Sequence, residues 1–174
     1  MKISNILKRV NSLGKNHIFD KNSHKITCIR DPIASILGAR TVYLSDFIVA
    51  KIKGFVPGLT GHREVTDSLF KRIPKTLNHP YKIFRDFREP NRDKKIFVEL
   101  DPVHKIVVEL RIENRRAEIN TIIPASSATI KKLKPERGYE LLYSRPEGTV
   151  TPLSSLSQQD LSGVRTNTNN IAEK

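Results

Sequence analysis

The sequence predicts an α+β domain in which helices come first and an antiparallel meander follows, with the helices on one face of the sheet. Residues 45 to 73 hold two segments with apolar residues at helical spacing, and residues 81 to 123 hold segments of period-two alternation divided by short turns. The 37% apolar content of a 174-residue chain is enough for one buried core, which favours a single domain with appendages over two equal domains.

Residues 1 to 40 read as an N-terminal extension. Within it, MKISNILKRVNSL places Ile3, Ile6, Leu7 and Val10 on one side of a short basic helix. The pattern fits a helix docked on the domain or a frayed terminus, the leading reading, or a membrane-surface or transit-like helix. The domain proper spans residues 41 to 148. TVYLS is a short extended entry, and Ser45 then caps a helix over DFIVAKIKGF, with Phe47, Ile48, Ile52 and Phe55 inward. Gly54 and Pro57-Gly58 end it. HREVTDSLFKRI gives a second helix through Val65, Leu69 and Ile73, closing before Pro74 because proline disfavours helical backbone in the residue ahead of it. His62 falls at its N-terminus.

YKIFRDF is the first strand expected after these helices. KIFVEL alternates Ile96, Val98 and Leu100 against Phe97 and Glu99, DPVH turns the chain, and KIVVELRIE alternates Ile106, Val108, Leu110 and Ile112 against Lys105, Val107, Glu109 and Arg111. After the turn ENRR, AEINTII carries Ala117, Ile119, Thr121 and Ile123 in one phase and Asn120 in the other, so only one of Asn120 and Thr121 can face a given ligand. SSATIKKLK is a short helix capped by Ser126 or Ser127, and YELLY is a last strand or packing segment. From residue 149 onward, TVTPLSSLSQQDLSGVRTNTNNIAEK lacks sustained apolar periodicity and reads as a disordered polar tail.

Lys and Arg number 31 against 18 Asp and Glu, a formal charge of +13. Within the tail Arg165 and Lys174 cancel Asp160 and Glu173, so the whole excess belongs to residues 1 to 148. A field of that size concentrates polyanions, nucleic acid first and anionic membrane second. The single cysteine, Cys28, excludes an intrachain disulfide and points to a reducing compartment. No apolar run reaches the length of a signal peptide core or a membrane span. The expectation is a cytoplasmic protein without a transmembrane segment.

The five histidines, His17, His24, His62, His79 and His104, lack metal-ligand spacing, and GFVPGLTG lacks the closing Gly-Lys-Ser/Thr of a phosphate loop. Asp86, Glu99, Asp101 and Glu109 could compose a magnesium site only if brought together by the fold, so neither metal nor cofactor is expected. Metal-free RNA cleavage needs a group that takes the 2'-hydroxyl proton, one that protonates the leaving oxygen, and cations for the phosphorane-like transition state. His62 is the acid/base candidate, since imidazole titrates near neutral pH and a helix N-terminus attracts phosphate. Arg85, Arg88, Lys95 and Arg111 suit phosphate clamps, and Lys131, Lys132 and Lys134 form a basic helix face.

The stretches VYLSDFIVAKIKGFVPGLTGHREVTDSLFKRIPKTLNHPYKIFRDFRE and KKIFVELDPVHKIVVELRIENRRAEINTIIPASSATIKKLK, about residues 42 to 134, carry a distinctive series of motifs. A lysine on the first helix, a helix ending in Ile-Pro, an Asn-x-Pro turn, a basic strand, a hairpin, an Asn-Thr strand and a Lys-rich helix follow in order. The series resembles the phage-associated branch of the barnase, EndoU, colicin and RelE-like nuclease superfamily. The resemblance implies helices packed on a four-stranded antiparallel sheet and a metal-independent endoribonuclease that leaves a 2',3'-cyclic phosphate. It also implies a toxin delivered into a target cell or carried by phage, with a cognate acidic immunity protein as partner. Lys51 falls on the first-helix lysine, Thr121 on the late-strand hydroxyl position at the scissile phosphate, and Lys53 and Asn120 join the RNA-binding set. Where similar proteins carry His before the first-loop proline this chain has Val56-Pro57, leaving His62 to serve. The rival readings are a catalytically silent nucleic-acid-binding domain of the same fold and a virion-associated structural protein.

Overall fold

The computed structural model describes residues 1–101 and 105–146, so residues 102–104 of the expected turn, His104 among them, and the polar tail lie outside the described residues. In chain order the elements are α1 (Ile3–Leu13), β1 (Ser23–Cys28), α2 (Ile33–Leu37), β2 (Thr41–Ser45), α3 (Asp46–Ile52), α4 (Asp67–Asn78), β3 (Lys82–Asp86), β4 (Asp93–Leu100), β5 (Lys105–Glu113), β6 (Arg116–Pro124), α5 (Ser127–Lys131) and β7 (Tyr139–Ser144).

The expected meander is present as β3 to β6, but it is the middle of a seven-stranded sheet in the order β1-β2-β6-β5-β4-β3-β7. The sheet is also mixed. β2 runs parallel to β6 through Thr41–Arg116, Val42–Ala117 and Tyr43–Glu118, whereas the other neighbours are antiparallel. The four-stranded antiparallel sheet expected from the sequence is therefore corrected. TVYLS, taken as an entry segment, is a strand with Val42 and Leu44 fully buried. SHKITC becomes a strand by pairing with β2, since its own alternation is too weak to mark one.

Directly paired residues point to the same side of a sheet, so the register sorts every side chain to a face. One face carries the main core: Phe97, Val108, Leu110 and Ile122 meet Ile6 and Val10 of α1, Leu37 of α2, Val49 and Ile52 of α3, and Phe70 and Ile73 of α4. α1 buries Ile3, Ile6, Leu7 and Val10 here, which replaces the membrane-surface reading with docking. Among the described residues no helix is long and apolar enough to cross a membrane. On the opposite face Ile130 and Leu133, on and just after α5, join a second apolar cluster with Val98, Val107 and Ile123. The helices are thus not confined to one face.

Two helices depart from their expected limits. α3 is capped as anticipated, Ser45 Oγ accepting the Ile48 N–H, but it buries Val49, Ala50 and Ile52 and leaves Phe47 and Ile48 half-buried. It leaves β2 without a linker, so the exit direction of the strand sets its inward face. Asp46 also turns inward, where it accepts two hydrogen bonds from Arg9, at 2.6 and 2.7 Å.

α4 starts at the Thr66 cap and runs through Pro74 to Asn78. Pro74 removes one helical N–H, and the local preference to stop is overridden by burial of Leu77 and by Asn78, whose amide donates to the carbonyls of Pro74 and Cys28, each at 3.1 Å. Pro74→Ala restores the missing donor inside a helix that already exists. It is expected to stabilise the fold by about 1–3 kcal/mol, seen as a higher thermal midpoint; an unchanged or lower midpoint would show that the proline contributes packing the alanine cannot replace.

Candidate functional site

On the sheet face away from α1, α3 and α4, the register aligns one residue from every strand. Lys25, Tyr43, Glu118, Arg111, Lys94, Asp86 and Tyr139 form a continuous cross-strand row from β1 to β7. At the usual strand spacing this row is roughly 29 Å long. The adjacent row, Thr121, Glu109, Ile96 and Phe84, borders the apolar half under α5. The open half of the face is therefore polar and charged throughout.

A β-bulge shapes the centre of this surface. Glu109 pairs with Thr121 and Leu110 with Ile119, so Asn120 is an extra residue on β6. The bulge reverses the side-chain phase: Ala117 and Ile119 face the main core, Ile122 returns to it, and Thr121 and Ile123 turn to the outer face. The single phase expected for Ala117, Ile119, Thr121 and Ile123 is thus corrected, and Thr121 stands beside Glu109, half-buried.

Glu109 is the hub. Its Oε1 accepts the Asn120 side-chain N–H at 3.0 Å, its Oε2 lies 3.9 Å from Lys94 Nζ, and its side chain is only 15% exposed. Lys94 also bonds Glu89. Lys51 reaches across from α3, where β2 has already left the edge of β6, and donates to the Asn120 carbonyl at 3.0 Å. Burial lowers the Lys51 ammonium pKa, and the negative charge of Glu109 opposes that shift. Arg111 shares the face of Glu109, is exposed, and has no hydrogen bond or ion pair with a described residue. It stands between a cleft of about 320 Å³ lined by Ser45, Ile48, Glu118 and Asn120, and one of about 250 Å³ lined by Glu113, Asn114 and Arg116.

Of the residues proposed from sequence, the fold gathers Lys51, Arg111, Asn120 and Thr121. Others lie elsewhere. Arg85 and Lys95 pair with each other and with Leu110, which puts them on the helix-covered face. There Lys95 is 7% exposed with its amine on Asp93 at 2.7 Å, and Arg85 lies over the Phe87 ring at 4.6 Å. Lys53 is bound to Asp67. Lys131 and Lys132 are exposed on and just after α5, on the outer side, and add positive field without touching the row. His62 is not at a helix N-terminus: it lies in the loop before Thr66, its backbone N–H on the Ile52 carbonyl, and its imidazole makes no hydrogen bond or ion pair with a described residue.

Glu109 and Asp86 were weighed in sequence only as metal ligands. They share the outer face, whereas Glu99 pairs with Ile106 on the core face. Among the described residues no group of three or more His, Cys, Asp or Glu could hold a metal ion. The clue to the row was the two-residue turn at Asn114 and Arg115, both at positive φ, which places Glu113 opposite Arg116 and hence Arg111 opposite Glu118.

Asp86 anchors the β7 end of the row. Burial works against its charge, but hydrogen bonds from the Arg88 guanidinium and backbone N–H prevail and hold the carboxyl below its ordinary range. A depressed folded pKa stabilises above the unfolded value, near 3.9, and that contribution is lost as pH falls through the folded value. Urea midpoints measured between about pH 5 and pH 2 should therefore drop less steeply for Asp86→Asn than for the parent protein. Parallel curves would show that Asp86 does not contribute to the acid limb.

No protein family, curated protein or solved structure gives a significant match to this chain.

Proposed function

We propose that the outer sheet face between β4 and β6 binds RNA through its phosphates and cleaves the strand without a metal ion. The observation that supports this most is the convergence of Lys51, Glu109, Arg111 and Thr121 around the Asn120 bulge in a chain of charge +13. Arg111 engages two oxygens of one phosphate, and the Thr121 hydroxyl and Asn120 amide position the nucleotide. Glu109 accepts the 2'-hydroxyl proton, the 2'-oxygen attacks phosphorus, and the P–O5' bond breaks with the leaving oxygen taking a proton from Lys51. The products are a 2',3'-cyclic phosphate and a 5'-hydroxyl, with every proton accounted for. Glu109 thereby takes the base role that sequence assigned to His62.

A second reading, RNA binding without cleavage, is favoured by the contacts that Asn120 and Lys94 already make to Glu109. Total RNA incubated with the purified protein and excess chelator separates the two. Cyclic-phosphate ends identify cleavage. Intact RNA that is retained by the protein, with affinity falling steeply as salt rises, identifies binding alone. Intact RNA with no retention at moderate salt rejects both and favours a structural role.

A further inference from the structure

We propose that Arg88 is a fixed stacking platform for an unpaired base, so that the RNA read by this surface is single-stranded; this rests on the RNA-binding reading above. Three features immobilise the Arg88 guanidinium. Nε and Nη2 donate to the two Asp86 carboxylate oxygens at 2.9 and 2.8 Å, and the Asp86 side chain is 1% exposed. The guanidinium lies over the Tyr139 ring, 4.8 Å from its centroid. Gly138, at φ +89, supplies the space: a Cβ there would come within 2.7 Å of Arg88 Cγ.

A surface arginine ordinarily keeps its rotamer freedom and loses it on binding. Here that entropy has already been given up to the fold, while the side chain remains 55% exposed. An ion pair alone accounts for the Asp86 fork but not for the aromatic ring against the guanidinium or the glycine beside it. With the Tyr139 ring against it and Asp86 at one edge, the guanidinium is held in place while its remaining surface stays open to a ligand. Planar guanidinium stacks on nucleobases as it does on aromatic rings.

The position also fits. Asp86, on β3, is two strands from Arg111 on β5, roughly 10 Å at the usual spacing, so a short extended stretch of strand joins a phosphate at Arg111 to a base on Arg88. Bases inside a duplex have no free face to offer, so double-stranded RNA cannot use the platform.

The test uses the whole protein and a short 2'-O-methyl oligonucleotide, which cannot cyclise, scanned with single abasic positions. Removal of one particular base is expected to weaken binding on the order of ten-fold. The same removal should have little effect on Arg88→Lys, which keeps the charge and loses the plane. A flat abasic scan with the unaltered protein, while Arg111→Ala still weakens binding, overturns the platform and leaves the RNA reading standing. A shallower salt dependence in Arg88→Ala with a flat scan shows a phosphate contact only and overturns it equally. If the unaltered protein retains no oligonucleotide at all, the RNA reading fails and the platform with it.

Discussion

Glu109→Gln should lower RNA cleavage by about 10²–10⁴-fold while leaving binding intact or slightly tighter, because a general base contributes about that much. Glutamine keeps the oxygen that accepts from Asn120, and Lys94 retains Glu89 as its partner. The bulge and the row should therefore survive the substitution. Removing one negative charge from a basic face strengthens attraction for phosphate, so affinity and turnover move in opposite directions. A misfolded variant would lose both. His62→Ala serves as the comparison, with its imidazole in the loop before α4 and expected to leave turnover close to that of the parent. The opposite pattern, cleavage lost with His62→Ala and kept with Glu109→Gln, would return the base role to His62 and remove the catalytic significance of the Asn120 cluster.

The largest expected loss of stability comes from Phe97→Ala. Phe97 is fully buried at the centre of β4, facing Ile83 on β3 and Val108 on β5 in the main core. Truncation there removes most of a large ring and leaves a cavity walled by strands that cannot close over it, a loss of about 3–5 kcal/mol. Set against a total of roughly 5–15 kcal/mol for a domain, such a loss leaves little or no margin at physiological temperature. Chemical or thermal unfolding followed by circular dichroism measures it directly, with Phe87→Ala, 42% exposed, expected within about 0.5 kcal/mol of the parent. A loss below about 1 kcal/mol for Phe97→Ala would contradict the placement of this ring in the core.

What the sequence made legible followed local chemistry. Ser45 and Ser126 cap α3 and α5 because hydroxyl-to-N–H capping acts within a single turn, and the β5–β6 hairpin closes where ENRR marks it. Long-range choices were not legible. Nothing near Thr41 announces a parallel partner at Arg116, and β1 exists because β2 is beside it. The faces of Arg85 and Lys95 were hidden because Ile83 and Phe84, and Ile96 and Phe97, are all apolar. With both sides of β3 and β4 buried, alternation carries no polarity to read. The Asn120 bulge has no glycine to mark it; its trace is the doublet Ile122-Ile123, one residue for each core, which a strand of unbroken phase would not need. The candidate site was legible as a list of basic residues and not as a place, since assembling it required the register of six strand pairings.

The short parallel contact between β2 and β6 also dictates an order of assembly. Residues 41 to 43 have no partner on their inner side until residues 116 to 118 have been made, so the first two strands must wait for most of the chain before the sheet can close beside them. Closing a loop of that length is slow compared with forming the successive hairpins of β3 to β6, which places the sealing of the N-terminal strands late in folding. The central meander is then the template on which the N-terminal strands are laid.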